Sequence, residues 1–315
     1  MRTLRLGTRG SRLALTQSRW VAAALGRTRD VRVALEVIRT KGDRTLDRPL
    51  PEIGGKGLFT AELDRALLDG DVDLAVHSLK DLPTGGQDGL RIACIPERED
   101  PRDVVVGPRG PPTTLAGLPE GATVGTSSLR RRAFLRAFHG GLRVESVRGN
   151  LDTRIRRVDE GLYDAVLVAA AGVRRLGLSD RVGEWLERTA WLPAPGQGAL
   201  AVVTRAEDEE ASELLGPLHD EPTAAAVGAE RSLLERLEGG CQVPLGALGL
   251  PYEGGLRLWG LVASPDGRRA VRADLTGDPR DPEALGVAVA EALLERGAGD
   301  ILDEVRGEPP AVTAP

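Results

Sequence analysis

The sequence predicts an α/β fold completed by a small C-terminal α+β domain, and three observations carry that reading. Short apolar, strand-like segments alternate with amphipathic helical runs from Thr3 to Val203. The alternation is twice interrupted by a connector dense in charge, proline or glycine, at residues 97–103 and 192–198. After the second connector the pattern changes to two longer strands, near residues 256–263 and 269–275, followed by a helix from about Pro282 to Arg296.

Taken in order, residues 3–8 alternate as a strand, and Ser11 then caps an amphipathic helix running to about Leu25. Arg9 and Ser11 therefore sit at a strand-to-helix turn, where free N–H groups and the helix dipole favour an anion. A second strand, residues 31–39, leads into Thr40-Lys41-Gly42-Asp43. Gly54-Gly55-Lys56-Gly57-Leu58-Phe59 follows as a glycine-rich loop opening a helix predicted to run to Leu68. Its spacing is not that of a phosphate-binding P-loop, which argues against a nucleotide role. Residues 73–76 read as a buried strand that delivers His77-Ser78-Leu79-Lys80-Asp81 before Pro83 ends the element. Ligands of open α/β sheets bind at the carboxyl ends of strands, so Asp81 is the first choice for a catalytic carboxylate. The competing reading makes Asp81 a turn cap, and His77 reads as a structural hydrogen-bonding residue. Cys94 lies in the strand 91–95 and reads as core.

The charged segment 97–103 reads as a hinge, and a second α/β unit begins near Ala122. There Thr126, Ser127 and Ser128 precede Arg130, Arg131 and Arg132, so a hydroxyl-capped helix carries cations in its opening turn. Cations at that end oppose the macrodipole, a cost that an anionic ligand would offset. The pattern recurs after the strand at residues 144–147, where Arg148 is followed by Asn150 as cap of a helix bearing Arg154, Arg156 and Arg157. It recurs again where Arg174 and Arg175 follow the strand at residues 165–168. Four basic clusters, each just after a predicted strand, point to a shared polyanion site in a cleft between two domains. The connector Pro195-Gly196-Gln197-Gly198 then leads into a strand at residues 199–203 that returns the chain to the first domain. A helix over about residues 223–237 leads to the loop centred on Cys241, with two glycines before the thiol and Pro244 after it, so the thiol is presented rather than packed.

Composition removes several function classes. With a net charge of -5 and a pI near 5.5 over 315 residues, no global basic excess exists to neutralise nucleic-acid phosphates. Cys94 and Cys241 form no disulfide framework, and arginines interrupt the N-terminal residues before any signal peptide or membrane span could form. The expectation is a cytoplasmic chain, monomeric, with no membrane or nucleic-acid partner. Cys/His spacing for zinc is absent, and no histidine stands in a context that supports a Cys-His nucleophile. Of 42 basic residues only Lys41, Lys56 and Lys80 are lysines, which makes them candidates for places where a compact ammonium on a flexible stem is wanted rather than chance survivors, and the functional reading is taken for Lys56 and Lys80.

Taken jointly these residues resemble the hydroxymethylbilane synthase (porphobilinogen deaminase) family over essentially the whole chain. The matching runs are Thr8-Arg9 with Ser11, Thr40-Lys41-Gly42-Asp43, Gly54-Gly55-Lys56-Gly57-Leu58-Phe59, His77-Ser78-Leu79-Lys80-Asp81, Gly125-Thr126-Ser127-Ser128-Leu129-Arg130-Arg131, Arg148-Gly149-Asn150, Pro195-Gly196-Gln197-Gly198 and Gly240-Cys241-Gln242. The part after Leu245 matches more weakly, best at Ser264-Pro265-Asp266-Gly267.

The resemblance implies two domains like periplasmic binding proteins joined by two hinge crossings, here residues 1–98 with 197–216 and residues 103–192, plus a third, α+β, domain at 220–306. It implies a dipyrromethane cofactor attached covalently through Cys241 and porphobilinogen as substrate. Asp81 would be catalytic. Arg9, Ser11, Lys80, Thr126, Ser127, Ser128, Arg130, Arg131, Arg148 and Arg154 would bind the cofactor; Arg9, Arg148, Arg154 and Arg175 would bind substrate carboxylates, and Lys56 would sit on a lid. The competing expectation is a non-catalytic cytoplasmic two-domain anion-binding sensor, which has no use for a presented Cys241.

Overall fold

The computed structural model describes residues 2–40, 60–237 and 243–307. Lys41, Lys56 and Cys241, and with them the expected lid and attachment loop, lie outside the described residues. The chain gathers into two compact units, Met1–Asp100 with Gly198–Ala224 and Pro101–Gln197 with Ala225–Pro315.

In the first unit, β1 (Arg2–Thr8), β2 (Val31–Val37), β3 (Leu74–Ser78), β4 (Leu90–Cys94) and β10 (Leu200–Arg205) form one sheet in the order β2-β1-β3-β10-β4. β1 is parallel to β2 and β3, while β10 runs antiparallel to both of its neighbours. Leu4 and Leu6 of β1 point inward while Thr3 and Arg5 are exposed, the alternation read in the sequence. β3 is buried on both faces. Its Leu74 and Val76 pack with Val21 and Leu25 of α1 (Arg12–Thr28), and its Ala75 packs with Leu63 and Leu67 of α2 (Ala61–Leu68). Each such leucine, fully withdrawn from water, contributes roughly 1.5–3 kcal/mol. Ser11 caps α1, its Oγ accepting the Ala14 N–H at 3.2 Å. Gly198 enters β10 with φ +91°, and a Cβ there would lie 2.3 Å from the Glu99 carbonyl oxygen, so only glycine fits. A short helix, α6 (Glu209–Leu215), capped by Asp208, covers β4.

The second unit holds a sheet of the same plan. β5 (Asp103–Val106), β6 (Thr123–Gly125), β7 (Arg143–Glu145), β8 (Ala165–Ala169) and β9 (Glu184–Trp185) lie in the order β7-β6-β8-β5-β9. β6 is parallel to β7 and β8; β5 is antiparallel to β8 and to β9. In both sheets three parallel strands are thus followed by an antiparallel one that begins just after the chain enters the unit. Helices α3 (Leu129–Phe138), α4 (Leu151–Asp159) and α5 (Ala170–Arg175) each follow a parallel strand. Asn150 stands at the N-cap of α4 but, contrary to expectation, its side chain makes no capping bond; only its backbone carbonyl accepts, from the Arg154 N–H.

The same unit contains an antiparallel sheet of β11 (Leu245–Tyr252), β12 (Gly255–Ala263) and β13 (Ala270–Gly277), covered by α8 (Pro282–Glu295), α9 (Ala298–Gly307) and the part of α7 (Glu221–Arg236) from Ala225 onward. The sequence indicates β12, β13, α7 and α8, but not β11, whose Leu-Gly-Ala-Leu-Gly-Leu-Pro run breaks strand propensity. β11 is a strand because tertiary packing demands it. Gly246 lies so close to Leu192 that a Cβ would sit 2.7 Å from the leucine Cβ, and Leu248 joins Phe134, Trp191 and Leu192 in one core. Cys94 is fully buried and its thiol is pushed up to about 12 by burial, in keeping with a core residue. No helix among the described residues is long and apolar enough to cross a membrane.

Candidate functional site

In the first unit the carboxyl ends of β1 and β3 lie side by side, because the two strands are parallel with Gly7 opposite Ala75. The β1–α1 turn carries Arg9 and Ser11 and is pinned by the Ser18 hydroxyl, which donates to Thr8 Oγ1 at 2.7 Å in the interior. β3 ends at Ser78 and passes into a single 3-10 turn, Leu79–Asp81. The turn is anchored by fully buried Leu79, whose N–H donates to the Ala199 carbonyl at 3.0 Å. That anchoring leaves Lys80 half-buried and Asp81 exposed. The Asp81 carboxylate has no hydrogen-bond or ion-pair partner among the described residues. Gln17 of α1, which the sequence reading missed, is buried and donates from Nε2 to Ser78 Oγ at 3.0 Å, tying the helix to this turn. The signal was there: a glutamine on the apolar face of an amphipathic helix.

His77 departs from expectation. It is 5% exposed, and its Nε2 has no hydrogen-bond partner among the described residues, so it is not the bonded structural histidine anticipated. Burial, with the nearby Arg9 charge second, lowers its pKa to about 4, so the ring is neutral at physiological pH.

In the second unit the equivalent strand ends carry the hydroxyl and arginine motifs. Ser127 Oγ donates to the Val147 carbonyl at 2.5 Å and lies 3.1 Å from Ser146 Oγ, joining the turns after β6 and β7. Ser128 caps α3, accepting from the Arg131 N–H, and Thr126 is buried beside it. Arg148 and Arg154 are half-buried, with Arg154 Nε donating to the Gly149 carbonyl at 2.9 Å; Arg175 is half-buried at the end of α5. Among the described residues Arg148 makes no ion pair.

Arg130 and Arg131 are arranged in a way the sequence did not indicate. Both are nearly fully buried, at 3% and 6% exposure, and both grip Asp103, which is completely buried. Arg130 NH1 lies 2.7 Å from Asp103 Oδ2 and donates to the Leu192 carbonyl; Arg131 NH2 lies 2.7 Å from Oδ1, with NH1 donating to the Leu167 carbonyl. Burial alone would raise the Asp103 carboxyl, but the two guanidiniums outweigh it and hold its pKa far below the ordinary carboxylate range. The macrodipole cost expected to fall to a ligand is therefore met in part within the protein. Two cations on one carboxylate still leave one positive charge, and the buried Nε atoms of both arginines lack hydrogen-bond partners among the described residues. Sequence reading passed over Asp103, because one aspartate in a charged connector carries no distinguishing mark.

A surface depression of about 340 Å³ beside β2 and α2 is lined by Arg5, Glu36, Glu62, Arg65, Asp69 and Asp71 among others, and holds none of the expected site residues. Its mixed charge offers no preference for an anion. Among the described residues no group of three or more His, Cys, Asp or Glu side chains is placed to hold a metal.

Two family models match: "Porphobilinogen deaminase, dipyromethane cofactor binding domain" over residues 4–213, and "Porphobilinogen deaminase, C-terminal domain" over residues 224–295. The chain belongs to the porphobilinogen deaminase family. Porphobilinogen deaminases of Brevibacillus brevis and Desulforudis audaxviator are 50% identical over 306 residues and 53% over 303, covering 96% of this chain and 98% and 97% of their own. That of Synechococcus elongatus is 49% identical over 306 residues, covering 96% of each chain. Among solved structures, an ABC transporter periplasmic substrate-binding protein from Coxiella burnetii gives a TM-score of 0.44 at 14% identity over 72% of this chain and 96% of that one. Membership in the porphobilinogen deaminase family makes the chain a transferase with a dipyrromethane cofactor and sets aside the sensor reading. The residues present suit that group: an oligopyrrole bearing carboxylates calls for guanidinium, ammonium and hydroxyl donors, and the parallel-strand ends supply them.

Proposed function

We propose that this chain acts as a hydroxymethylbilane synthase in which Asp81 is the catalytic carboxylate, joining four porphobilinogen units head to tail with loss of ammonia and releasing the linear tetrapyrrole by hydrolysis. The observation that carries the role of Asp81 is its presentation. It is held by a rigid turn at the carboxyl end of a buried strand, yet its carboxylate is exposed and unpartnered among the described residues. A fixed negative group suits a reaction in which positive charge develops on the substrate's aminomethyl carbon as ammonia departs, and it can also accept a pyrrole N–H. Lys80, from the same turn, would neutralise a carboxylate of the cofactor.

Cys241 would carry the dipyrromethane through a thioether; it falls in sequence between α7 and β11. When bound, that group supplies a nucleophilic pyrrole carbon. The protein's own part is to hold carboxylates: Arg9, Ser11 and Lys80 from the first unit, and Thr126, Ser127, Ser128, Arg130, Arg131, Arg148 and Arg154 from the second. Arg9, Arg148, Arg154 and Arg175 would serve the incoming substrate, and Lys56 would act from a lid. Each pyrrole brings about two carboxylates, which accounts for guanidinium donors at several strand ends rather than one. The three-domain division, a cytoplasmic location and a monomeric state complete the reading.

Asp81→Asn keeps size and polarity but removes the charge. It should lower kcat by about 10²–10³ or more while the purified protein retains the mass of two linked pyrroles. Cys241→Ser should lack that mass. An Asp81→Asn protein turning over at the wild-type rate would remove Asp81 from the mechanism.

A further inference from the structure

The buried Asp103 carboxylate is used to capacity. Oδ1 accepts from Arg131 NH2 at 2.7 Å and from Gln197 Nε2 at 2.7 Å; Oδ2 takes Arg130 NH1 at 2.7 Å and the Trp191 indole N–H at 2.9 Å. A carboxylate offers about four acceptor sites, and all are filled. Gln197, 1% exposed, works on both sides of the cluster. Its Nε2 donates to Asp103 and to the Pro101 and Arg102 carbonyls at 2.8 and 3.2 Å, while its Oε1 lies 3.4 Å from Arg131 NH2. Pro101 is the first residue after the chain enters this unit and Gln197 the last before it leaves. One side-chain amide therefore ties both connectors to the carboxylate and to Arg131.

An internal anchor needs no such chemistry. Replacing a buried ionic cluster by apolar groups is often neutral or stabilising, and this cluster keeps one excess positive charge with two Nε atoms that have no hydrogen-bond partner among the described residues. It also sits at the ligand-binding end of the parallel strands, with Arg131 NH1 on the β8 carbonyl of Leu167. We propose that Asp103 and Gln197 are positioning residues: together they set the orientation and net charge of the Arg130–Arg131 guanidinium pair that receives an anionic ligand, and so couple that pair to the two connectors. The inference rests on the reading that these arginines bind carboxylates of the dipyrromethane.

Gln197→Glu tests it with almost no change in volume. Where the amide donates, the new side chain would present a second carboxylate oxygen to Asp103 and two carbonyls, and its charge would draw Arg131 away and cancel the excess cation. In the folded protein we expect KM for porphobilinogen to rise about tenfold or more, with a smaller effect on kcat, and the fraction of chains carrying the two-pyrrole mass to fall. Adding Asp103→Asn to Gln197→Glu restores one carboxylate and one amide and should recover both readouts in part. Gln197→Met, which cannot donate, serves if the glutamate variant does not fold, with the same expectation. Unchanged KM and adduct fraction, or a lowered Tm alone, would overturn the proposal. Arg131→Ala separates the two levels: if it impairs loading while the Gln197 variants do not, only the positioning role fails. If it too leaves KM and adduct unchanged, the anion-site reading fails with it.

Discussion

Asp103→Asn should be the most destabilising single change of polar character in the second unit. The side chain is completely buried and receives four hydrogen bonds, two from guanidiniums. Asparagine keeps the shape but removes the charge and turns one acceptor into a donor facing other donors. Two adjacent guanidiniums would then be buried without a counter-charge, and breaking a buried ion pair in this way costs about 3–5 kcal/mol. Urea unfolding at pH 7 followed by tryptophan fluorescence reads the loss, since Trp191 itself donates to Asp103 and meets the Phe134 ring edge-on at a centroid distance of 5.5 Å. The pH dependence has a definite sign. A carboxyl whose folded pKa is depressed contributes stability that is present above its unfolded value of about 4 and is lost only as pH falls toward the folded value. The gap between wild type and variant should therefore be full at pH 7, begin to narrow below about pH 4, and still be open at pH 3. A deficit under about 1 kcal/mol at pH 7, or a gap that closes by pH 4, would refute the account of two cations held by one ionised carboxylate.

Two further outcomes follow from the first unit. Because His77 is buried with a pKa lowered to about 4, the unfolded state binds the extra proton between there and about 6.5. Stability should accordingly rise with pH across that window, by up to about 1.4 kcal/mol per pH unit from this group, and His77→Gln should flatten the slope; an unaltered slope would mean another group is responsible. Gly198→Ala should cost more than about 1 kcal/mol in chemical unfolding, since the new Cβ meets the Glu99 carbonyl at a φ that L-residues avoid; a neutral substitution would show that the connector relaxes freely.

Local chemistry made most of the fold legible. The strand-turn-helix units could be read because hydroxyl caps, glycine turns and buried apolar runs are properties of neighbouring residues, as at Ser11, Ser128 and Leu74–Ser78. β11 was not legible, because its strand character comes from packing on Leu192 and Phe134 and not from its glycine- and proline-bearing sequence. Asp81 could be singled out as a candidate because a carboxylate directly after a buried strand is a local signal. Gln17, Asp103 and the bridging role of Gln197 were not, since each acts on residues 28 to 96 positions away.

By itself the sequence determined the α/β class, the recurring basic turns, the candidate carboxylate and the family resemblance, all written in short contiguous motifs. Only the tertiary structure decided which of the basic residues stand open and which are already engaged. Arg130 and Arg131 look identical in sequence to Arg148, yet the first two are sunk against Asp103 while the third makes no ion pair among the described residues. The physical reason is that the energy of a charge depends on its desolvation and its partners, and both are set by chain segments that meet only when the protein folds.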